Sequence, residues 1–227
     1  MTACNIRFDK LDDSFVKVLR SSFDQLPETD HKDGKYRLRA YALVEINRLV
    51  HALGYEMGFS YNQLDVDTFN QSSRYNKHQG DVDRKFQSIN EDVLYSDAMS
   101  RALDNFSRVS GLQLGDTIHI HQMRVITSSD EAQVSPEGVH QDGYEFVGFV
   151  GINRHNVKGG ELMLYHQQDE QPFLTLPIPN GTMLTIKDDE LWHNGSPIET
   201  INPSPEVQFV NNDRGYIDLF IFTATEV

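Results

Sequence analysis

From residue 116 onward the chain consists almost entirely of short segments with the composition of β-strands. These segments are rich in β-branched and aromatic residues and are separated by Gly, Asn and Pro. Many short strands with turns between them favour a β-sandwich or a jelly roll over alternating strands and helices. We therefore expect a mainly β fold with flanking helices, built as a double-stranded β-helix (a cupin-like jelly roll). The predicted strands are 116–127, 139–152, 160–166, 173–177, 182–187, 198–201 and 216–223.

Two amphipathic helices are predicted ahead of this β-rich region. Apolar residues recur at three- and four-residue steps over 12–26 and again over 91–110, which is the spacing of one helix face. Ser88 and Glu91 have the spacing of a capping box at the start of the second helix, and Gly111 is suited to its C-terminal end. Both helices are expected to pack on the outside of the barrel.

A strand with one basic face is predicted between the two helices. Over 35–46 apolar and polar residues alternate, which places Arg37 and Arg39 on the same face. By itself this pattern favours a solvated edge strand, since basic residues commonly protect sheet edges from aggregation. The polar segment 63–83 that follows is expected to form a loop or lid, where substrate contacts often lie.

The length of 227 residues suits one domain, and 38% hydrophobic residues are enough for a sizeable core. We expect a single domain over 1–227, in which the elements of 1–115 pack on a jelly-roll core formed by 116–227. The formal net charge of −14 makes nucleic acids and anionic membrane surfaces improbable partners, because both would be repelled.

Cysteine content and the N-terminal residues bear on the cellular compartment. Cys4 is the only cysteine, so the chain has no internal disulfide and nothing indicates an oxidising compartment. The N-terminal residues lack the basic start and apolar core of a signal peptide, and no apolar run approaches the roughly 20 residues of a membrane helix. We therefore expect a cytoplasmic protein.

The candidate metal ligands lie in Val-His140-Gln-Asp142-Gly. In an extended segment alternate side chains share a face, so His140 and Asp142 point the same way while Gln141 points away. His193, several predicted strands later, is a third candidate ligand. Two histidines and one carboxylate form the facial triad of non-haem Fe(II) oxygenases. The alternative is a hydrogen-bonded His140–Asp142 pair on a sheet face, with His193 capping a turn.

Four other histidines are weaker candidates for a metal site. His119 and His121 share one strand face in Thr-Ile-His-Ile-His-Gln, and a second metal or a substrate role is conceivable for them. We favour a role in the core or in support of the metal ligands. The other two candidates are His155 and His166.

Four segments in order carry a resemblance to a known family. They are 140–146, 152–162, 188–198 and 215–222, and the resemblance extends over residues 35–225. Across these segments the chain resembles the bacterial 2-oxoglutarate and Fe(II)-dependent dioxygenases that include isoleucine 4-hydroxylase and related free amino acid hydroxylases.

The resemblance implies that His140, Asp142 and His193 hold Fe(II), with 2-oxoglutarate and O₂ as co-substrates. The implied reaction hydroxylates a small free L-amino acid at an unactivated side-chain carbon and releases succinate and CO₂. The alternative is a cupin-like metalloprotein with non-oxidative chemistry or a ligand-sensing role, since a fold does not determine function. Cupins usually bind metal through more histidines and one glutamate, so the ligand set favours the dioxygenase.

The chain departs from the family at the expected anchor for the distal carboxylate of 2-oxoglutarate. Relatives place an arginine immediately before the aspartate of the last strand, and here Ile217 precedes Asp218. Arg214 is the first candidate for this bidentate contact. Arg124, which matches a basic position of the family on the strand ahead of the triad, is the second.

A free amino acid needs charged contacts at both ends of its backbone if one C–H bond is to be oriented. We expect Arg37 and Arg39 to bind the substrate carboxylate, and acidic or carbonyl groups near the site, such as Glu145 or Asp218, to meet the ammonium. Tyr144 and Trp192 are candidates for the walls of the pocket. Aliphatic, basic and amide-bearing side chains all remain open.

Overall fold

The computed structural model describes residues 5–11, 13–51, 57–127, 131–201 and 214–226. Asp12, the expected start of the first helix, and Cys4 lie outside the described residues. The helices are α1 (Asp13–Leu19), which continues as a 3₁₀ helix (Arg20–Gln25), α2 (Glu91–Leu94) and α3 (Asp97–Ser110). The strands are β1 (Ile6–Lys10), β2 (Arg37–His51), β3 (Met57–Leu64), β4 (Thr68–Phe69), β5 (Arg84–Lys85), β6 (Gln87–Ser88), β7 (Thr117–Thr127), β8 (Tyr144–His155), β9 (Val157–Gly159), β10 (Leu162–Tyr165), β11 (Leu174–Leu176), β12 (Thr182–Lys187), β13 (Trp192–Gly195), β14 (Ile198–Thr200) and β15 (Gly215–Glu226).

Two antiparallel sheets form the core of the molecule. The larger has the order β1-β12-β8-β15-β7-β2-β3, with β6 beside β2, and the smaller has the order β11-β10-β13. Apolar side chains of both sheets pack together, among them Phe149 of β8, Leu164 of β10 and Leu184 of β12. This arrangement confirms the predicted mainly β, jelly-roll-like fold with flanking helices. No helix among the described residues combines the length and the apolar character needed to cross a membrane.

The helices cover the outer face of the larger sheet. Phe23, in the 3₁₀ helix, packs edge-on against Phe220 of β15, with 5.1 Å between ring centroids. Phe106 of α3 packs in the same way on Phe222, at 5.6 Å. Gly148 of β8 makes this approach possible, because a Cβ there would lie 2.9 Å from the Phe106 ring. The apolar helix faces predicted from the sequence therefore pack against the outer face of the larger sheet and form a hydrophobic core there.

The second helix differs from the prediction. The segment expected to form one helix is broken into α2 and α3. Ser88 does not cap it, because Ser88 pairs with β2 as part of β6. Asn90 caps α2 instead, and Ser96 caps α3 by accepting a hydrogen bond from Met99 N at 3.1 Å. Gly111 ends α3 in the left-handed conformation with φ of +68°, as predicted.

The strand with the basic face lies inside the sheet. β2 pairs with β7 over residues 37–45, and on its other side with β6 at residues 40–41 and with β3 from residue 43, so its first three residues pair with β7 alone. The solvated-edge alternative is nevertheless wrong, because only 9% of the Arg37 side chain is exposed and both arginines line an interior cavity. Arg39 pairs with Met123 and Tyr41 with His121. Paired residues of neighbouring strands point to the same face. The arginine face of β2 is therefore shared with the histidine face of β7, and both face the interior between the two sheets.

Candidate active site

The three predicted ligands meet at one point. His140 Nε2 lies 3.5 Å from Asp142 Oδ1, and His193 Nε2 lies 3.6 Å from Asp142 Oδ2. One ligand atom from each residue lies within 4.8 Å of the others. Two imidazole nitrogens and a carboxylate oxygen in this arrangement fit the facial triad of a non-haem Fe(II) centre.

Backbone pairing brings the ligands together. His140 and His193 form an isolated β-bridge, in which each backbone N–H donates to the other residue's carbonyl at 2.9 Å. Gly143 then turns the chain into β8 with φ of +87°, and a Cβ there would lie 2.6 Å from the Tyr75 ring. Glycine is required here both by the backbone conformation and by the close approach of Tyr75.

Both imidazoles are held by hydrogen bonds at Nδ1. His140 Nδ1 donates to the Gly138 carbonyl at 2.8 Å, and His193 Nδ1 donates to Asp188 Oδ1 at 2.8 Å. These bonds place the proton of each neutral ring on Nδ1 and leave Nε2, which faces Asp142, free to bind a metal.

Asp188 supports a second ligand as well. Its Oδ2 accepts a hydrogen bond from the backbone N–H of Asp142 at 2.6 Å, and the residue is fully buried. One carboxylate therefore orients both His193 and Asp142. The sequence offered no periodic signal for this role, because Asp188 lies in a turn and is followed by the exposed Asp189.

Two glutamines complete the surroundings of Asp142. Gln141 points away from the site, as predicted, and its Nε2 donates to the Asp188 carbonyl at 2.6 Å. Gln71, from the segment expected to be a loop or lid, donates from Nε2 to Asp142 Oδ1 at 3.0 Å. Asn76 of the same segment donates to Gln71 Oε1 at 2.9 Å, which fixes the orientation of that amide. This largely loop segment thus contributes directly to the position of a candidate ligand.

Neighbouring charges shift the pKa values of two candidate ligands, His140 and Asp142. Burial alone would lower the pKa of His140, but the Asp142 carboxylate and Glu137 outweigh it and raise the pKa to about 9. Burial opposes ionisation of Asp142, yet the hydrogen bond from His140 and the charge of His193 hold its pKa well below the usual range. In the metal-free protein the raised pKa favours the protonated form of His140 beside the Asp142 carboxylate at neutral pH.

A cavity between the two sheets contains the triad. One part of it, which we call the arginine end, is lined by Arg37, Arg39, Arg84 and Glu137. Arg37 and Arg39, the predicted substrate contacts, lie in the same cavity as the triad, and the buried Tyr144 also lines it. Arg84 and Glu137 were not singled out in the sequence, because neither belongs to a recognisable pattern.

A second basic group lines the cavity from β8. Arg154 pairs with Ile217 of β15, so the two side chains share the interior face. Two strands, β15 and β7, separate Arg154 from Arg37 of β2 in the sheet. The Arg154 guanidinium donates to the carbonyls of Gly159 and Gly160, which hold it against the cavity wall. We call this part of the cavity the Arg154 end.

Three predicted site residues lie outside the lining of the cavity. Arg124 faces the other side of the sheet, where it donates to Asp218 Oδ1 at 2.6 Å and Oδ2 at 2.8 Å and to Asp24 at 2.9 Å. Arg214 is exposed at the start of β15. Trp192 points away from the cavity, because neighbouring residues of a strand face opposite sides and His193 takes the inner one.

The four weaker histidine candidates make hydrogen bonds or ring contacts with neighbouring side chains. His119 Nδ1 lies 2.8 Å from the Tyr41 hydroxyl, and burial lowers the pKa of His119 to about 4, so that it is neutral at pH 7. His121 is buried against Phe69 and lines the cavity. His155 stacks near Tyr216, and His166 stacks on Phe173. Among the described residues, none of these four joins a cluster of possible metal ligands.

Comparison with known proteins agrees with this geometry. The family model described as 2OG-Fe dioxygenase matches residues 20–223, which include the complete triad. The chain belongs to the 2OG-Fe dioxygenase family. Fe(II), 2-oxoglutarate and O₂ are therefore its cofactor and co-substrates, and family membership favours an oxygenase over the cupin-like alternative.

Solved structures show the same fold at low sequence identity. A bsmA homolog from Methylobium petroleophilum PM1 is 20% identical, with a TM-score of 0.75 over 94% of this chain and 81% of that one. IDO from Bacillus thuringiensis is 14% identical, with a TM-score of 0.72 over 98% of this chain and 90% of that one. The Fe(II)/(alpha)ketoglutarate-dependent dioxygenase TqaL is 13% identical, with a TM-score of 0.62 over 98% and 83%. No similar sequence was found among curated proteins.

Proposed function

We propose that this 2OG-Fe dioxygenase hydroxylates a small free L-amino acid at an unactivated side-chain carbon. The observation that carries the proposal is the presence of charges of both signs in the triad's own cavity, where Arg37 and Arg39 lie with Glu137. A free amino acid is a zwitterion with little else to hold it, so a site that orients one needs a cation for its carboxylate and an anion for its ammonium.

Glu137 is suited to the ammonium. Burial opposes its ionisation, but Arg37, His140 and Arg39 outweigh this effect and lower its pKa, so that it is an anion at neutral pH. Its side chain is buried, with 7% exposed, and its Oε1 lies 3.7 Å from Arg37 Nη1. This separation is longer than a direct hydrogen bond, and the hydrogen bond that Glu137 Oε1 accepts from Asn76 Nδ2 is long at 3.4 Å, so both groups retain hydrogen-bonding capacity for a ligand.

The triad supplies the metal site for the reaction. With Fe(II) bound, the reaction transfers one oxygen atom of O₂ to the substrate C–H bond and the other to 2-oxoglutarate, which leaves as succinate and CO₂. The chain's own contribution is to hold His193 and Asp142 through Asp188, to place the substrate, and to exclude bulk water from the buried cavity.

We propose Arg154 as the anchor of the distal carboxylate of 2-oxoglutarate, in place of Arg214 or Arg124. Arg154 lines the cavity beside Ile217, the position at which relatives carry an arginine. The guanidinium of Arg124 is occupied by Asp218 and Asp24, and Arg214 is exposed. Arg154→Gln should therefore raise KM for 2-oxoglutarate, whereas Arg214→Gln should leave it unchanged. If instead only Arg214→Gln raises KM for 2-oxoglutarate, Arg214 rather than Arg154 is the anchor.

The test of the amino acid proposal is a direct assay. The purified protein is incubated with Fe(II), 2-oxoglutarate, ascorbate and each standard L-amino acid, and succinate and a product heavier by one oxygen atom are measured. We expect both signals with at least one free amino acid, and neither with His140→Ala. If only a peptide, a carrier-bound residue or another metabolite is hydroxylated, the free amino acid proposal fails while the family assignment stands.

A further inference from the structure

The arginine end of the cavity contains more positive charge than its own carboxylates neutralise. Arg37 Nη1 lies 3.7 Å from both Asp33 and Glu137. In the described part of the chain no ion pair within 4 Å joins Arg39 or Arg84 to a carboxylate. Glu137 and Asp142 act on both guanidiniums only from a longer distance. Their side-chain partners are neutral groups: Arg39 Nη2 donates to Met123 Sδ at 3.1 Å, and Arg84 Nη2 donates to a glutamine oxygen at 3.5 Å.

Both guanidiniums also lie over aromatic rings. The Arg39 guanidinium carbon is 5.5 Å from the centre of the Phe86 ring, and that of Arg84 is 5.0 Å from the centre of Phe69. Ring faces stabilise a cation only partly when compared with a carboxylate. The apolar flanks hold the guanidiniums in place and leave their edges available for an anion.

Hydrogen-bond donors without a partner also indicate that the arginine end lacks anionic groups. Arg84 is 3% exposed. The buried Nε atoms of Arg84 and Arg37 have no hydrogen-bond partner among the described residues. Burial, followed by repulsion from Arg37 and Arg84, lowers the pKa of Arg39 to about 9, so that Arg39 remains a cation at neutral pH. A buried cation without a partner is costly, and a bound anion removes that cost.

A neutral amino acid matches this charge pattern incompletely. Its carboxylate neutralises one guanidinium and its ammonium meets Glu137, which leaves Arg39 or Arg84 without a counterion. A second carboxylate on the substrate side chain neutralises the remaining one, and each Arg–carboxylate contact is available in bidentate form. We infer that the substrate is an acidic amino acid, with a side chain that ends in a carboxylate. This inference rests on the proposed function.

The amides of the acidic amino acids are the sharpest probes, because L-asparagine and L-glutamine have nearly the same shape as L-aspartate and L-glutamate but lack the second charge. A charge-assisted hydrogen bond in a buried site corresponds to a preference on the order of 10- to 100-fold. We expect at least one acid to bind more tightly than its amide by such a factor. The measurement is anaerobic calorimetric titration of the protein containing Fe(II) and saturating 2-oxoglutarate, so that binding is recorded without turnover.

Two variants assign the preference to named residues. Arg84→Gln and Arg39→Gln each retain hydrogen-bonding capacity but remove one charge, and each should reduce the ratio of acid to amide affinity to near one. Arg101→Gln, on the exposed face of α3, is the matched control and should retain the wild-type ratio. The wild-type ratio decides the inference even if a cavity variant does not fold.

Three results overturn the inference. The first is an amide that binds as tightly as its acid, or more tightly. The second is an acid that binds only by displacing 2-oxoglutarate, since both are dicarboxylates. The third is an Arg84→Gln protein that loses affinity for 2-oxoglutarate and keeps its acid preference. Hydroxylation of a neutral amino acid, with acids inert, refutes this inference and leaves the proposed function standing, whereas the absence of any free amino acid substrate refutes the proposed function itself.

Discussion

Replacing Asp188 by asparagine removes one of two buried carboxylate oxygens, and these two oxygens support two of the three candidate metal ligands. The carboxylate accepts hydrogen bonds from His193 Nδ1 at 2.8 Å and from the backbone N–H of Asp142 at 2.6 Å. Asparagine has the same size but only one acceptor oxygen. Its NH₂ group must therefore face one of these two donors, which leaves a donor without an acceptor in a fully buried position.

The loss should appear in metal affinity. If the NH₂ group faces His193, the ring proton moves to Nε2, which then cannot bind a metal; if it faces Asp142, the backbone that positions the carboxylate shifts. Loss of a hydrogen-bonding partner behind a metal ligand commonly weakens binding about 10- to 100-fold. At about 1.4 kcal/mol per tenfold, the expected cost is about 1.4–2.8 kcal/mol.

The assay is anaerobic Fe(II) titration in competition with a chelator. Asp189→Asn is the matched control, because Asp189 is the next residue, is exposed, and pairs with Lys187 at 3.5 Å. Asp189→Asn should bind Fe(II) as the wild-type protein does. Equal Fe(II) affinity of the two variants, with Asp188→Asn folded by circular dichroism, would refute the supporting role of Asp188.

Three further predictions follow from the geometry. Gly143→Ala should cost about 1–3 kcal/mol of stability in denaturant unfolding, because φ is +87° and the new Cβ meets the Tyr75 ring at 2.6 Å; an unchanged unfolding midpoint would contradict this. The pKa of His140 is raised to about 9 in the metal-free protein, so Mn(II) binding below pH 9 should release a proton. The affinity for Mn(II) should therefore rise by up to about tenfold per pH unit and level off above pH 9. Calorimetry in buffers of different ionisation enthalpy measures that proton, and its absence at pH 7 would disprove the assignment. Asp218→Asn should destabilise the fold by about 1–3 kcal/mol, because it removes the charge of the carboxylate paired with Arg124 while Arg124 keeps Asp24, and should leave Fe(II) affinity unchanged. Lower Fe(II) affinity in a folded variant would show that this ion pair supports the metal site.

The candidate metal ligands were predicted partly from local alternation, which pairs His140 with Asp142, and partly from the family resemblance, which added the distant His193. In an extended segment His140 and Asp142 share a face and Gln141 points away, and the structure has Gln141 directed to the Asp188 carbonyl. The supporting residues depend on contacts between distant segments. Asp188 reaches two ligands only because a turn buries it, and Gln71 comes from a segment with no apolar pattern of its own. Such contacts leave no periodic trace in the sequence.

The basic face of β2 shows how a correct local pattern left its environment undecided. Alternation placed Arg37 and Arg39 on one face, but the same pattern is expected for an edge strand and for a strand that lines a cavity. What decides the environment is the interior cavity, which the sequence did not indicate and which buries Arg37 and Arg39 although only β7 pairs with β2 at these residues. Trp192 shows the converse, because its position beside His193 in the chain places it on the opposite face of β13.

The proposed co-substrate anchor, Arg154, was not a candidate in the sequence analysis, because a neighbour on an adjacent strand lies far away in sequence. The family pattern drew attention to residues near Ile217 along β15, and Arg214 is the nearest arginine in that direction. The residue beside Ile217 in space is Arg154, on the adjacent strand β8. Sheet register therefore decides which guanidinium reaches the cavity, and register depends on the pairing of complete strands.

The most direct test of the central claim is the visible absorption of the anaerobic protein with Fe(II) and 2-oxoglutarate. If His140, Asp142 and His193 hold iron that also binds the co-substrate, a charge-transfer band should appear only when both are added. The band should be absent in His193→Ala, and it should persist in His155→Ala, which removes a histidine outside the triad. A band that survives in His193→Ala, or no band in the wild-type protein with both additions, would contradict the account.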